Sequence, residues 1–212
     1  MHRLILLFLC LVTLTGFCNA QQKAVTEHGE PVVLFSDGTW TYAQPDSVRM
    51  DDIAVNDQPY TKSKKASFLI KSKRIPVGCW LDPKKWKYKA SESHEASEFE
   101  LNHVDGSLYG MIITENLDVP LKSLANIAVQ NARDAAPDLV VTQKEYRQVN
   151  GLNVLMMRMT GTIQDVRFSY YGYYFSGDGG ATQFLVYSSE GYLEQHIEEA
   201  EELLNGLVSL SN

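Results

Sequence analysis

Residues 168–175 read FSYYGYYF, and no element buried on one side alone can hide them. At the two-residue period of a strand, Phe168, Tyr170, Gly172 and Tyr174 fall on one face and Ser169, Tyr171, Tyr173 and Phe175 on the other. Large rings on both faces predict a central strand packed from two sides, with Gly172 the position at which a bulge would shift the register. The runs GLNVLMMRMTGTI and TQFLVYSS beside it are strand-like as well; SFLIKSKRI predicts a strand, and EFELNHVDGSLYGMIITE a hairpin turning at Asp105-Gly106. Two helices interrupt and close this run. In LKSLANIAVQNARDAA, Leu121, Leu124, Ile127, Ala128 and Asn131 recur at helical spacing; in GYLEQHIEEAEELLNGL, Leu193, Ile197, Ala200, Leu204 and Leu207 do. Asn205-Gly206 lies near the stop of the second helix, although Leu207 and Leu210 could extend it. Strands joined mainly by hairpins, with helices inserted among them, predict an α+β fold in which helices cover an antiparallel β-sheet.

The chain opens Met1, His2, Arg3, runs apolar from Leu4 to Phe17 and closes with Cys18-Asn19-Ala20. A basic start, a 14-residue apolar run and small residues before the break predict a secretory signal peptide over residues 1–20. The run is short of the roughly 20 residues a membrane span needs, so no transmembrane segment is expected in the mature chain. Phe17 stands where a lipoprotein signal carries a small residue, which argues against lipid attachment. Cleavage near Ala20 would place the mature protein outside the cytoplasm, in the periplasm or secreted. Cys79 is then the sole cysteine, so no intramolecular disulfide can form and the core alone must hold the fold. Residues 21–44 alternate between the turn signals His28-Gly29 and Asp37-Gly38 and predict a small hairpin or meander, with Trp40 and Tyr42 on one face. Residues 45–66 lack periodicity, carry Pro45 and Pro59, and read as a linker to a main domain at 67–212.

Several residues between Pro76 and Leu207 carry a family resemblance: Trp80 and Trp86 ahead of a hairpin, the helix at 121–136, the Val149-Asn150-Gly151 turn, the strand ending Tyr173-Tyr174-Phe175, and Gln183-Phe184 before the closing helix. In these the chain resembles the PsbP-like fold family, which includes the photosystem II extrinsic subunit and bacterial envelope relatives. The resemblance implies an α/β/α sandwich and a non-catalytic accessory or binding role. It implies no catalytic residue and no cofactor.

Charge is segregated along the chain. Lysines and arginines crowd residues 62–89 with Asp82 the only acid, giving that segment +9, whereas the mature chain as a whole carries −8. This balance argues against nucleic acid as the main partner. Lys71, Lys73, Arg74, Lys84, Lys85, Lys87 and Lys89 alternate with Trp80, Trp86 and Tyr88, a mixture suited to a protein partner or an anionic envelope surface. The plainer alternative pairs these cations with Glu190, Glu194, Glu198, Glu199, Glu201 and Glu202 of the last helix.

Other chemistry finds less support. His196 and Glu199 can share a helix face but lack a third ligand, so no metal site is expected. His94 and His103 flank a strand, where a half-buried, satisfied histidine is the simpler reading. Ser176 to Gly180 has neither the spaced acids of a calcium loop nor the lysine of a phosphate loop. Cys79 reads as a small buried apolar group. Tyr170, Tyr171, Tyr173 and Tyr174, with Met156, Met157 and Met159, could line a pocket for a small apolar or aromatic molecule. A hydrolase is the third reading, without a visible nucleophile and base.

Overall fold

The computed structural model describes residues 22–25, 31–36, 38–42, 53–92, 96–177 and 179–210. The expected signal peptide, the His28-Gly29 turn and His94 lie outside them. Three short strands open the described chain: β1 (Gln22–Val25), β2 (Pro31–Leu34) and β3 (Trp40–Tyr42) form an antiparallel sheet. A sheet this small is marginal alone. It packs on helix α1 (Leu121–Ala135), and Val32 is buried.

The main sheet has eight strands: β4 (Ala54–Tyr60), β7 (Trp86–Ala90), β8 (Ser97–His103), β9 (Tyr109–Glu115), β10 (Val140–Val149), β11 (Leu152–Ile163), β12 (Val166–Gly177) and β13 (Gly180–Ser189). Their spatial order is β4-β10-β11-β12-β13-β9-β8-β7, antiparallel throughout except where β4 joins β10. The β10–β11 connection is the two-residue turn Asn150-Gly151, both at positive φ (47° and 85°) as its twist requires. The antiparallel α+β architecture read from the alternation is the one observed, with a single parallel pair at one edge.

Both faces of the central strands are buried. On one face Leu155, Met157, Met159, Tyr174 and Leu185 pack under α1. On the other, Val154, Met156, Tyr171, Tyr173, Phe175 and Phe184 meet two covers. The first is helices α2 (Glu190–Gln195) and α3 (Ile197–Leu204); the second is a small antiparallel sheet of β5 (Phe68–Lys71), β6 (Val77–Leu81) and β14 (Leu207–Ser209), in the order β14-β6-β5. Gly172 carries no bulge: β12 stays in register with Met157 on one side and Leu185 on the other. A Cβ there would lie 2.4 Å from Leu185 Cδ2, so the glycine makes room for a neighbour's side chain.

Three expectations change. Residues 54–60, read as part of a linker, form edge strand β4. Its mostly exposed side chains show no alternation, and Pro59 is tolerated because an edge strand need not donate on both sides. The single closing helix is two, broken at His196 (φ −116°, ψ 25°). Leu207, placed on that helix by its spacing, instead lies in β14 opposite Cys79.

Gly206 makes this last turn possible. Its carbonyl accepts the Trp80 N–H at 2.8 Å, and a Cβ on it would sit 1.9 Å from the Trp80 carbonyl oxygen. Asn150 closes the same corner: its side chain donates to the carbonyls of Asn205 and Leu207, both at 2.8 Å, while its N–H donates to Tyr60. Gly206→Ala is therefore expected to destabilise the protein by about 3 kcal/mol, the upper end for overpacking, because two backbones must part. Gly191→Ala, which meets open space in α2, should be neutral or stabilising by up to about 1 kcal/mol. Urea denaturation of the two variants checks the contrast.

Candidate functional site

Strand β7 splits the basic segment between faces. Trp86 points into the core, 3% exposed, with its ring centroid 5.1 Å from that of His103. Tyr88 shares that side but lies at the sheet edge, half-exposed, against exposed Phe68 of β5 at 5.4 Å. Lys87 and Lys89 point the opposite way, and Lys89 pairs with Glu100 at 3.0 Å. Lys85 is held by Glu199 (3.4 Å) and Glu202 (3.0 Å) of α3. Arg74 donates to the carbonyls of Thr114 and Ala96. Trp80 sits half-buried on the outer face of the small sheet, with the Lys62 ammonium 4.9 Å from its centroid. Lys71, Lys73 and Lys84 are exposed. The ten residues thus form no single patch: Trp86 is core, Lys85, Lys89 and Arg74 are committed internally, and the remainder surround the small sheet and the β7 edge.

The glutamates of the closing helices pair differently from a simple match with the basic segment. Only Glu199 and Glu202 meet one of its cations; Glu190 pairs with Arg167, Glu194 with Arg158 and Glu201 with Arg147.

Arg147 is the centre that the sequence did not disclose. Its side chain is 6% exposed, under edge strand β4. Nε donates to Glu145 at 2.5 Å; one terminal nitrogen, whose two N–H groups are shared among three acceptors, lies within hydrogen-bond distance of the hydroxyls of Tyr171 (2.8 Å) and Tyr173 (2.9 Å) and of Glu201 (2.7 Å). Tyr60 covers the guanidinium face at 4.3 Å, Tyr171 also donates to Glu201, and Tyr173 donates to Asn205. Burial works against this charge, but the tyrosines, Glu201 and Glu145 outweigh it and hold the guanidinium protonated; burial in turn pushes both phenols above their ordinary range. These contacts within the chain fasten β4, β10, β12 and α3 together.

The tyrosines therefore line no common pocket. Tyr171 and Tyr173 belong to the Arg147 cluster, and Tyr174 is buried beneath α1 with its hydroxyl unpartnered. Half-buried Tyr170 packs at a tilt against Tyr187, with ring centroids 5.7 Å apart. An interior void of about 10 Å³ beside Ile70, Cys79 and Phe99 has room for about one water. A shallow cleft of about 360 Å³ is lined by Asp105, Ser107, Ser188, Tyr192 and His196.

That cleft holds groups that could suggest catalysis, but their geometry is that of a turn. Asp105 (2.5 Å) and Ser107 (3.4 Å) both approach Nδ1 of His103, and Ser107 Oγ donates to Asp105 at 2.6 Å. Serine and aspartate on one imidazole nitrogen cannot divide into nucleophile and orienting group, which need opposite nitrogens. The bonds from His103 and Ser107 hold the Asp105 carboxyl well below its usual range. His196 pairs with Glu199 at 2.7 Å. Among the described residues no three His, Cys, Asp or Glu side chains are placed to hold a metal ion. Cys79 is buried, and burial pushes its thiol far above the reactive range.

Layers, strand order and the aromatic central strand together define a PsbP-like fold. The chain is similar to the solution structure of the cyanobacterial PsbP protein CyanoP from Synechocystis sp. PCC 6803, with a TM-score of 0.51 and 8% identity over 67% of this chain and 91% of that one. It also matches, at a TM-score of 0.44, LpqN, involved in cell envelope biogenesis of Mycobacterium tuberculosis, at 11% identity over 66% of this chain and 88% of that one. PA94 from Pseudomonas aeruginosa, a protein of unknown function described as a putative regulator, matches at the same score with 7% identity over 68% and 98%. At these identities the likeness concerns the fold alone. No family model and no curated protein matches the chain.

Removing the Arg147 cation leaves two carboxylates and two phenols without their donor. Arg147→Met is expected to cost about 3–5 kcal/mol in urea unfolding, and the double change with Glu201→Gln to recover part of it.

The Lys85 contacts carry a pH signature. The bond from His196 foremost, with Lys85, lowers Glu199; the bond from Ser63 foremost, with Lys85, lowers Glu202. Stability from depressed carboxyls is present above their unfolded range and is lost as pH falls through the folded values. Lys85→Met should therefore cost up to about 1 kcal/mol at pH 7. The deficit should close well below about pH 4, where both glutamates are protonated. A deficit unchanged at pH 3 would assign the loss to packing of the lysine stem.

Proposed function

We propose that the protein is a non-catalytic accessory or binding protein of the extracytoplasmic side, acting through contact between its basic surface and an anionic envelope component or protein partner. One observation carries this reading. In a chain of net charge −7, Lys71, Lys73, Lys84 and Lys87 stay exposed and outside the ion pairs of the described residues, while Lys85, Lys89, Arg147, Arg158 and Arg167 are paired with glutamates. Cations left outside the fold's own ion pairs are available to steer an anionic partner. The serine and aspartate at His103 share one imidazole nitrogen and Cys79 is buried, which gives no support to a nucleophile-and-base reading of these groups, and no described helix is long and apolar enough to cross a membrane.

Co-sedimentation with isolated envelope vesicles tests the proposal. Binding should weaken with salt, and reversal of Lys71, Lys73, Lys84 and Lys87 to glutamate should abolish it with the unfolding midpoint retained. Binding that is indifferent to both would sink the reading.

A further inference from the structure

The small sheet has an inner face and an outer one, and the outer face has its own chemistry. Val77, Cys79, Leu81, Ile70 and Leu207 pack inward. Alternation sends Leu69, Lys71, Trp80 and Val208 outward, with Leu69 opposite Trp80 and both Lys71 and Val208 opposite Gly78. Gly78 adds no side chain, and Leu69 and Leu210 close over it: a Cβ there would lie 3.0 Å from Leu69 Cδ1 and 3.4 Å from Leu210 Cδ1. Leu69, Trp80, Val208 and Leu210 are half-buried and form a low apolar floor. Lys62 stands over the indole at 4.9 Å, and Lys71 is exposed at the opposite end of the face. None of these six side chains is acidic, although the chain as a whole is.

An acidic protein partner would answer the two ammonium groups but would have to bring an apolar surface shaped to the floor. The headgroup region of an anionic bilayer offers both at once: phosphates at the height of the lysine ends, and an acyl boundary where an indole settles. Resting on the binding-module reading above, we propose that this face seats on a bilayer containing anionic phospholipid, with Trp80 at headgroup depth and Lys62 and Lys71 on the phosphates.

The test uses processed protein recovered from the extracytoplasmic fraction and phosphatidylcholine vesicles with or without phosphatidylglycerol. Binding is expected only where phosphatidylglycerol is present. Lys62→Gln with Lys71→Gln should lower the partition constant about thirty-fold, at about 1 kcal/mol for each lysine. Brominated lipid should quench tryptophan emission in the wild type and not in Trp80→Phe. Quenching that persists in Trp80→Phe would show that another face meets the lipid and would overturn the proposal. So would a wild-type dimer that the double lysine variant dissolves, since a second copy would then cover the face. If envelope vesicles bind in a charge-dependent way and pure phosphatidylglycerol vesicles do not, the bilayer assignment fails while the broader binding function stands.

Discussion

A guanidinium in the interior cannot be left without partners, and the side of the sheet carrying α2 and α3 is organised around satisfying Arg147. Glu201 must come from α3, the phenols from β12, Glu145 from the same strand as the arginine, and the Tyr60 ring from β4. Once Glu201 is fixed, so is the end of α3, and Asn205 next to it takes the Tyr173 hydroxyl. Gly206 then delivers its carbonyl to Trp80, and the chain enters β14 beside β6. The corner that carries the chain into the small sheet, and so towards the Trp80 surface, thus adjoins the buried cation's partners. Such a cluster is not needed for stability as such, since an apolar replacement of matching shape can serve equally well. Its geometry does specify which segments meet.

The central strands were legible because burial on both faces leaves a clear two-residue signature: Tyr171 and Tyr173 did part from Tyr170 and Tyr174. The Asn150-Gly151 and Asp105-Gly106 turns were legible for a similar local reason, glycine at positive φ. Strand β4 was not, because an exposed edge has no hydrophobic alternation to show. The break at His196 and strand β14 were hidden by leucines whose spacing fits a helix equally well. The basic segment shows where sequence reading stops: its charge was plain, but which cations share a face depends on β7 being a strand, and which are consumed depends on α3. The Arg147 cluster was beyond reach, since its members run from Tyr60 to Glu201 and none is unusual by itself.

The PsbP-like architecture fixes the layers and strand order but not the function of this chain. Among the described residues, both faces of the central strands are taken up by core packing and the Arg147 cluster is held by contacts within the chain.

The two outermost strands of the main sheet add a further consequence. One, β4, carries Pro59 and a register shift against β10; the other, β7, carries exposed Lys87 and Lys89. Proline, irregular pairing and edge lysines all obstruct the addition of another strand. The sheet thereby resists templating its own extension, so the exposed lysines of β7 serve as a charged rim and not as a strand-pairing edge.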